Sequence, residues 1–163
     1  MLRQVQEPDL QDIYAIFQQK EVEPYVSIGL KPYPEFCNIL LKSLDNSLLD
    51  YLIYEENQKI IGICAVQYFT DRRAHTAYIG SLAIHHQYHG QGYGQKMMNQ
   101  LFEQFKARKT LRIELIVETD NPGAIKFYEK LGFEIEGTMK KFYKREYESH
   151  YVDDHIMAKF LEY

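Results

Sequence analysis

A run of glycines, an amide and a phenol are the residues in this sequence best placed to do chemistry. His89-Gly90-Gln91-Gly92-Tyr93-Gly94 lies between a strand-like run ending at Ile84 and a stretch of helical period. Glycines at such a junction let the backbone turn sharply and aim several N–H groups at one point, with a helix dipole behind them. That arrangement suits a pyrophosphate, and a glycine-bearing turn with no ligand fits it equally well. No Gly-Lys-Ser/Thr follows, so the loop is not of the Walker A kind. Its place in mid-chain, with no second βαβ half, counts against a dinucleotide-binding fold. Further on, Asn121-Pro122-Gly123-Ala124-Ile125-Lys126-Phe127-Tyr128 sets Asn121, Ala124, Tyr128 and Leu131 on one stripe of a helix. In the structural reading, Asn121 is an N-cap and Tyr128 is a core aromatic with its hydroxyl at the surface.

The elements that must position these groups can be read from hydrophobic period and turn residues. Residues 2–6 alternate like a short strand. The turn at Pro8-Asp9 caps a helix with Leu10, Ile13, Ile16 and Phe17 on one face. Residues 21–34 carry three prolines and a glycine and read as a long loop or broken helix. A second amphipathic helix starts at Pro34 and shows Phe36, Ile39, Leu40 and Leu44. Strand-like runs at 51–54 and 60–69 flank a short polar connection, as in a hairpin. A further strand covers 74–84. The glycine stretch then opens a helix whose buried face is Met97, Met98, Leu101, Phe102 and Phe105. Residues 113–117 read as a strand buried on both faces. Asn121-Pro122 starts a helix that Gly132 ends, and strands at 133–142 and 151–160 close the chain. The order β-α-α-β-β-β-α-β-α-β-β predicts an α+β domain, a mixed and largely antiparallel sheet with one βαβ crossover.

Composition removes several classes of function. The 163 residues fit a single domain over 1–163, and 45% hydrophobic residues can bury a core. A formal charge of −4 lacks the pull of a phosphate-backbone binder, so no nucleic-acid partner is expected. The first residues are too polar for a signal peptide. The longest apolar run, 60–66, falls far short of the roughly 20 residues that span a bilayer. The expectation is a soluble, cytoplasmic protein with no membrane contact. Cys37 and Cys64 form no CxxC pair, and nothing suggests a stapled secreted scaffold.

Taken together, the two constellations resemble the GNAT superfamily of acetyl-CoA-dependent N-acetyltransferases. The family's pyrophosphate loop, Gln/Arg-x-x-Gly-x-Gly/Ala, is matched over positions 89 to 94 except at the first residue. Its second motif, Asn-x-x-Ala-x-x-x-Tyr-x-x-x-Gly-Phe, is matched at Asn121, Ala124, Tyr128, Gly132 and Phe133. Within the family, Gly132 to Thr138, with Tyr151-Val152-Asp153-Asp154 and Met157-Ala158, looks most like the L-amino-acid N-acetyltransferases. Enzymes acting on ribosomal-protein N-termini or polyamines come second. A sensor module that binds acyl-CoA without catalysis is the non-enzyme alternative, disfavoured by retention of both Asn121 and Tyr128.

The resemblance implies a sheet splayed at its central crossover, with pantetheine lying in the opening. It implies that the main chain of Leu82, Ala83 and Ile84 pairs with that arm and orients the acetyl carbonyl. The loop of His89, Gly90, Gln91, Gly92, Tyr93 and Gly94, with Gln95 at the start of the helix, would hold the pyrophosphate. Asn121 and Ala124 would border the pantetheine, and Tyr128 would be the catalytic acid beside the sulfur. Acetyl-CoA is the expected co-substrate and a small primary amine the partner; a homodimer is allowed. Two departures stand out. His89 replaces the usual Gln or Arg, and a neutral imidazole brings less charge than Arg. Family members often place a carboxylate on the strand before the loop, yet residues 78–84 contain none, so the general base stays unassigned.

His85, His86 and His89 do not read as a metal site, because adjacent histidines at a strand end point to opposite sides and no Cys or carboxylate completes a set. No metal is expected. Fourteen tyrosines are many for this length, and two aromatic-rich segments, 25–33 and 142–151, are not obviously core. They fit an aromatic wall around an apolar acceptor, and equally a dimer face or ordinary packing.

Overall fold

A computed structural model describes residues 1–26 and 31–162. The described elements follow the expected order: β1 (Leu2–Gln4), α1 (Leu10–Phe17), α2 (Tyr33–Leu44), β2 (Leu49–Glu56), β3 (Lys59–Tyr68), β4 (Thr76–Ile84), α3 (Tyr93–Ala107), β5 (Arg112–Glu118), α4 (Pro122–Lys130), β6 (Glu134–Tyr143) and β7 (Val152–Phe160). The strands form one sheet in the order β1-β2-β3-β4-β5-β7-β6. Among them β4 and β5 run parallel, with α3 as the crossover, and the other neighbours are antiparallel.

Local chemistry explains the joints. Asn57 and Gln58 both have positive φ, the two-residue geometry whose twist matches the flanking β2 and β3. Asn121 caps α4 by accepting from the Ala124 N–H at 3.1 Å, and Pro122 occupies the first turn, where no backbone donor is needed. Cys37 and Cys64 are unpaired, and Cys64 is fully buried.

Helices cover both faces of the sheet. On one face α3 buries Met97, Met98, Leu101 and Phe105 against Ile79, Ile113 and Leu115. On the other, Ile13, Ile16 and Phe17 of α1 join Phe36 and Leu40 of α2 over Ile53, Ile63 and Ala83. In α2 the buried stripe is narrower than its apolar period suggests. Ile39 and Leu44 are exposed, because that helix meets the core along Phe36 and Leu40, with Tyr33, Cys37 and Leu41 packed beside them.

The expectation that residues 113–117 are buried on both faces is overturned. Along β5, Ile113, Leu115 and Val117 are buried, whereas Arg112, Glu114, Ile116 and Glu118 are only partly covered. The strand is central in the sheet, but it lies beside a gap, and one face looks into that gap. Pairing of β4 with β5 runs from Thr76↔Arg112 to Ile79↔Leu115 and then stops. At that point Ser81 takes a positive φ of 49°, and the β3–β4 register shifts between Ile63 and Ala65. A bulge there bends β4 away from β5. Residues beyond it stay paired to β3, and β5 continues on β7 alone. The sheet is therefore mixed and split at its parallel crossover, as anticipated.

Gly62 sits opposite Ile84 at the end of β4, where an added Cβ would lie 2.5 Å from Ile84 Cδ1 and 2.8 Å from the Ala83 carbonyl oxygen. Gly62→Ala should therefore force the strands apart and destabilise the protein by about 1–3 kcal/mol, as overpacking does. Urea unfolding followed by circular dichroism checks it; an unchanged midpoint would refute the tight approach.

Candidate active site

The gap between β4 and β5 opens into a cavity of about 660 Å³. Its walls are Tyr78 to Leu82 of β4, Ile116 to Glu118 of β5, and Asn121, Ala124 and Tyr128 at the start and along one side of α4. The cavity draws on both faces of the sheet. Val117 and Tyr128 belong to the α3 side, whereas Val26 and Ala65 belong to the α1–α2 side. A ligand reaching through the split could thus meet groups from both faces.

At the sheet's end, β4 leads through a short 3-10 turn, His86–Tyr88, to the glycine loop. Gly92 is the residue before α3 and has φ +80°; Gly90 has φ +72°. These left-handed conformations are open to glycine and strained for other residues. An added Cβ at either position would meet nothing within 4 Å, so the loop presents bare backbone to open space. The first turn of α3 leaves the N–H groups of Tyr93, Gly94 and Gln95 without partners in their own helix, while Lys96 donates to the Gly92 carbonyl at 3.0 Å. Gly94 packs closely on Phe127, which ties the start of α3 to α4.

The sequence-predicted residues divide into three places. Leu82, Asn121, Ala124 and Tyr128 line the cavity. Ala83 is buried behind β4 among the α1 and α2 side chains, and Ile84 lies against the start of α3, so those two offer main chain only. Gly90 to Gln95 lie outside the cavity lining, at the helix start. Several loop side chains have other work. The His89 ring N–H donates to the Ile84 carbonyl, with Nε2 2.6 Å from it. The Gln91 amide donates to the Gln87 carbonyl at 2.7 Å. The Tyr93 ring packs on Tyr88 and Tyr54.

The expected divergence of His85 and His86 does not occur. Their rings stack with centroids 4.8 Å apart, because β4 has already ended and His86 begins the 3-10 turn. Burial, followed by the nearness of His86 and His89, holds the His85 pKa below its ordinary value. Among the described residues no group of His, Cys, Asp and Glu could hold a metal ion.

Tyr128 is buried against Phe133 and Phe127, with ring centroids at 5.7 and 5.3 Å. Burial pushes its phenol pKa up, so the proton stays on the oxygen at neutral pH. Of the aromatic segments, Tyr25, Phe142 and Tyr143 line the cavity, Tyr33 packs on Tyr14 at 5.1 Å, and Tyr147 and Tyr151 are exposed. The part of the first segment at 27–30 lies outside the described residues.

A charged cluster stands at the α1–α2 side of the cavity; the sequence offers its Glu148 and Asp154 as carboxylates for a charged acceptor, but Glu118, Asp120 and Arg145 were missed. Glu118 and Asp154 line the cavity. Arg145, from the connection between β6 and β7, forks onto Asp120 at 2.8 and 2.9 Å, reaches Glu118, and donates to Glu148 at 3.1 Å. Its Nε donates to the Pro24 carbonyl at 3.3 Å, and its guanidinium lies over the Tyr25 ring. Burial outweighs the Arg145 contact at Glu118 and pushes its pKa up to about 7. At the more exposed Asp120 the Arg145 hydrogen bond prevails and lowers it. Burial also raises Asp154. The signal was the alternation of β5, which puts Glu118 on the face opposite Val117.

A split sheet, a bare glycine loop at a helix start and a cavity joining the two faces together define an acyl-CoA N-acyltransferase architecture. Residues 10–133 match the model of the Acetyltransferase (GNAT) family. The chain belongs to this family, a class of N-acetyltransferases. It is 40% identical over 89 residues to the L-amino acid N-acetyltransferase AaaT of Escherichia coli (strain K12). That stretch is 54% of this chain and 53% of the relative, so the match spans about half of each. The N-alpha-acetyltransferase 30 of Schizosaccharomyces pombe is 30% identical over 129 residues, 76% of this chain and 77% of that one. The spermidine N-acetyltransferase of Vibrio cholerae, solved in complex with CoA and spermine, shares the fold. Its TM-score is 0.85 at 18% identity, covering 98% of this chain and 94% of that one. Among the described residues no helix is long and apolar enough to cross a membrane.

Proposed function

We propose that this chain transfers the acetyl group of acetyl-CoA to the primary amine of a small acceptor, with an apolar L-amino acid as first choice. The observation that carries the reading is the cavity through the β4–β5 split, which has Tyr128 on one wall and the glycine loop at the neighbouring helix start. The residues fit the group: unpaired N–H donors and a helix dipole suit a pyrophosphate, and the β4 main chain beyond Ile79 has no partner on the β5 side. When bound, acetyl-CoA supplies an activated acyl group as a thioester. The Gly90 to Gln95 backbone would hold the phosphates. The His89 ring would brace that loop against Ile84, and the main chain of Leu82 to Ile84 would align the pantetheine. Asn121, its Oδ1 engaged as the α4 cap, would offer its amide nitrogen to the same arm. Tyr128 would give its proton to the departing sulfur, which its raised pKa keeps available at neutral pH.

For the acceptor, the aromatic walls of Tyr25, Phe142 and Tyr143 and the likeness to an L-amino acid N-acetyltransferase support an apolar amino acid. Filling such walls with an apolar side chain gains roughly 1.5–3 kcal/mol, about tenfold or more in catalytic efficiency. A second reading, a polyamine, is favoured by Glu118 and Asp154 in the same cavity. Thiol release measured with L-phenylalanine, L-methionine, glycine and spermidine decides between them. The apolar amino acids are expected to lead, and spermidine in first place would refute that choice.

A further inference from the structure

Amine acetylation needs a proton acceptor, because most acceptors arrive as ammonium ions at neutral pH. The β4 strand offers no carboxylate between Tyr78 and Ile84, but the fold brings two carboxylates to the cavity from elsewhere. Glu118 at the end of β5 and Asp154 on β7 are Cα partners across an antiparallel ladder. Their side chains therefore rise from the same face, with Cβ atoms about 5 Å apart. Both line the cavity. Asp154 is only 5% exposed, and its Oδ1 has no hydrogen-bond partner among the described residues. A buried acceptor atom with nothing to accept from, at the wall of a ligand cavity, points to a donor that the ligand brings.

We propose that Glu118 and Asp154 form the base station of the reaction: the acceptor's ammonium donates to the free Asp154 Oδ1 and gives its proton to the Glu118 carboxylate. This rests on the acetyltransferase reading. In the step, an N–H bond of the ammonium breaks and an O–H bond forms on Glu118. The freed lone pair makes the C–N bond to the acetyl carbonyl, and the C–S bond breaks with its electron pair going to sulfur. The sulfur takes the Tyr128 proton, and the second amine proton restores Tyr128. The net products are amide, thiol and one proton, which leaves Glu118 for water.

Arg145 is the positioning residue. Facing Glu118 are Arg145 from the β6–β7 connection, Asp120 from the turn after β5, Asp154 from β7 and Tyr25 before α2. Around Asp154 stand Asp120 and Arg145 again, with its strand neighbours Asp153 and His155 and Tyr78 of β4, while Glu148 lies against Arg145 and Tyr25. Arg145 is the one fixed cation among them, and it binds Asp120 and Glu148 as well as Glu118. It thus fixes the Glu118 side chain without fully neutralising the group, and a carboxylate poised near neutrality is the form that accepts a proton and releases it again.

The test compares wild type, E118Q and D154N in thiol release with acetyl-CoA and L-phenylalanine, L-methionine or spermidine, over the range in which carboxylates and amines titrate. Wild-type kcat/KM for the amine should fall on the acid side of about 7, where burial places Glu118. E118Q, which can keep the Arg145 hydrogen bond through its amide oxygen, should be about 10²-fold slower at neutral pH. It should lack that limb and climb about tenfold per pH unit until the free amine predominates, as solvent takes over the deprotonation. D154N should raise KM for the amine about tenfold with a smaller change in kcat. Stabilisation of the fold by acetyl-CoA should be unchanged in both. Carbon-13 NMR titration of the glutamate carboxyls in the CoA-saturated protein reads the station without turnover, and Glu118 should ionise near neutrality there. Ionisation in the ordinary carboxylate range, or an E118Q profile parallel to wild type with acetyl-CoA stabilisation intact, overturns the base station alone. No stabilisation of wild type by acetyl-CoA overturns the acetyltransferase reading and this proposal with it.

Discussion

Tyr128→Phe is expected to lower turnover by about 10²-fold, the range for loss of one general acid. The phenyl ring would keep the packing on Phe133 and Phe127, so the fold and the wall of the cavity persist. What disappears is a single O–H at the face of α4 that looks into the split sheet. Burial makes that proton hard to lose spontaneously. The oxygen therefore stays protonated until an anion that the same burial makes more basic, such as a departing thiolate, is set beside it. Without the proton, sulfur must leave as a bare thiolate in a poorly solvated site, which raises the barrier. Cofactor affinity should change little, since in the proposed site the phosphates and pantetheine would rest on backbone groups and the Asn121 amide rather than on the Tyr128 hydroxyl. Turnover measured under saturating acetyl-CoA and acceptor, with acetyl-CoA binding followed by thermal shift, separates the two effects. Unchanged turnover for a chemistry-limited acceptor would return Tyr128 to the role of a packing aromatic.

Local signals were legible in the sequence, and long-range ones were not. The buried stripe of α3, the Asn121-Pro122 start of α4 and the short polar connection of the β2–β3 hairpin each depend on residues a few positions apart. Such features survive folding because nearest-neighbour geometry fixes them. The mistaken reading of β5 came from a composition argument. A run of Ile, Leu and Val was assigned two buried faces, although Glu114 and Glu118 sit at the alternate positions. Only the end of β4–β5 pairing at Ile79↔Leu115 shows that one face borders a gap. That error also hid Glu118, since a strand buried on both faces leaves no place for a working carboxylate. Arg145 was beyond reach for a different reason. Its partners lie on three segments, the contact with Pro24 spanning 121 positions, and no periodicity reports such a meeting. The stacking of His85 on His86 was missed because strand alternation was applied to two residues just past the strand, which ends at Ile84 and gives way to the 3-10 turn at His86.

Gly92→Asp should abolish most of the stabilisation that acetyl-CoA confers. A ligand that binds only the folded state adds about 2.7 kcal/mol when present at a hundred times its Kd. For a domain of this size that is a rise of roughly 5–10 °C in Tm. Gly92 precedes the first turn of α3 at φ +80°, and a Cβ there would enter open space. The carboxylate would therefore project without steric conflict beside the unpaired N–H groups of Tyr93, Gly94 and Gln95. There it would occupy the donors itself and repel a pyrophosphate. Two effects must be told apart, because a non-glycine residue at positive φ costs about 1 kcal/mol whatever its charge. Gly92→Ala carries the strain without the charge. It should lower the ligand-free Tm by a few degrees and keep most of the acetyl-CoA shift, whereas Gly92→Asp should show the strain and lose the shift. If both variants keep the shift, the phosphates are not held at this loop, and the placement of the co-substrate fails. If both lose it, the loop's left-handed geometry rather than its lack of charge is what the site requires.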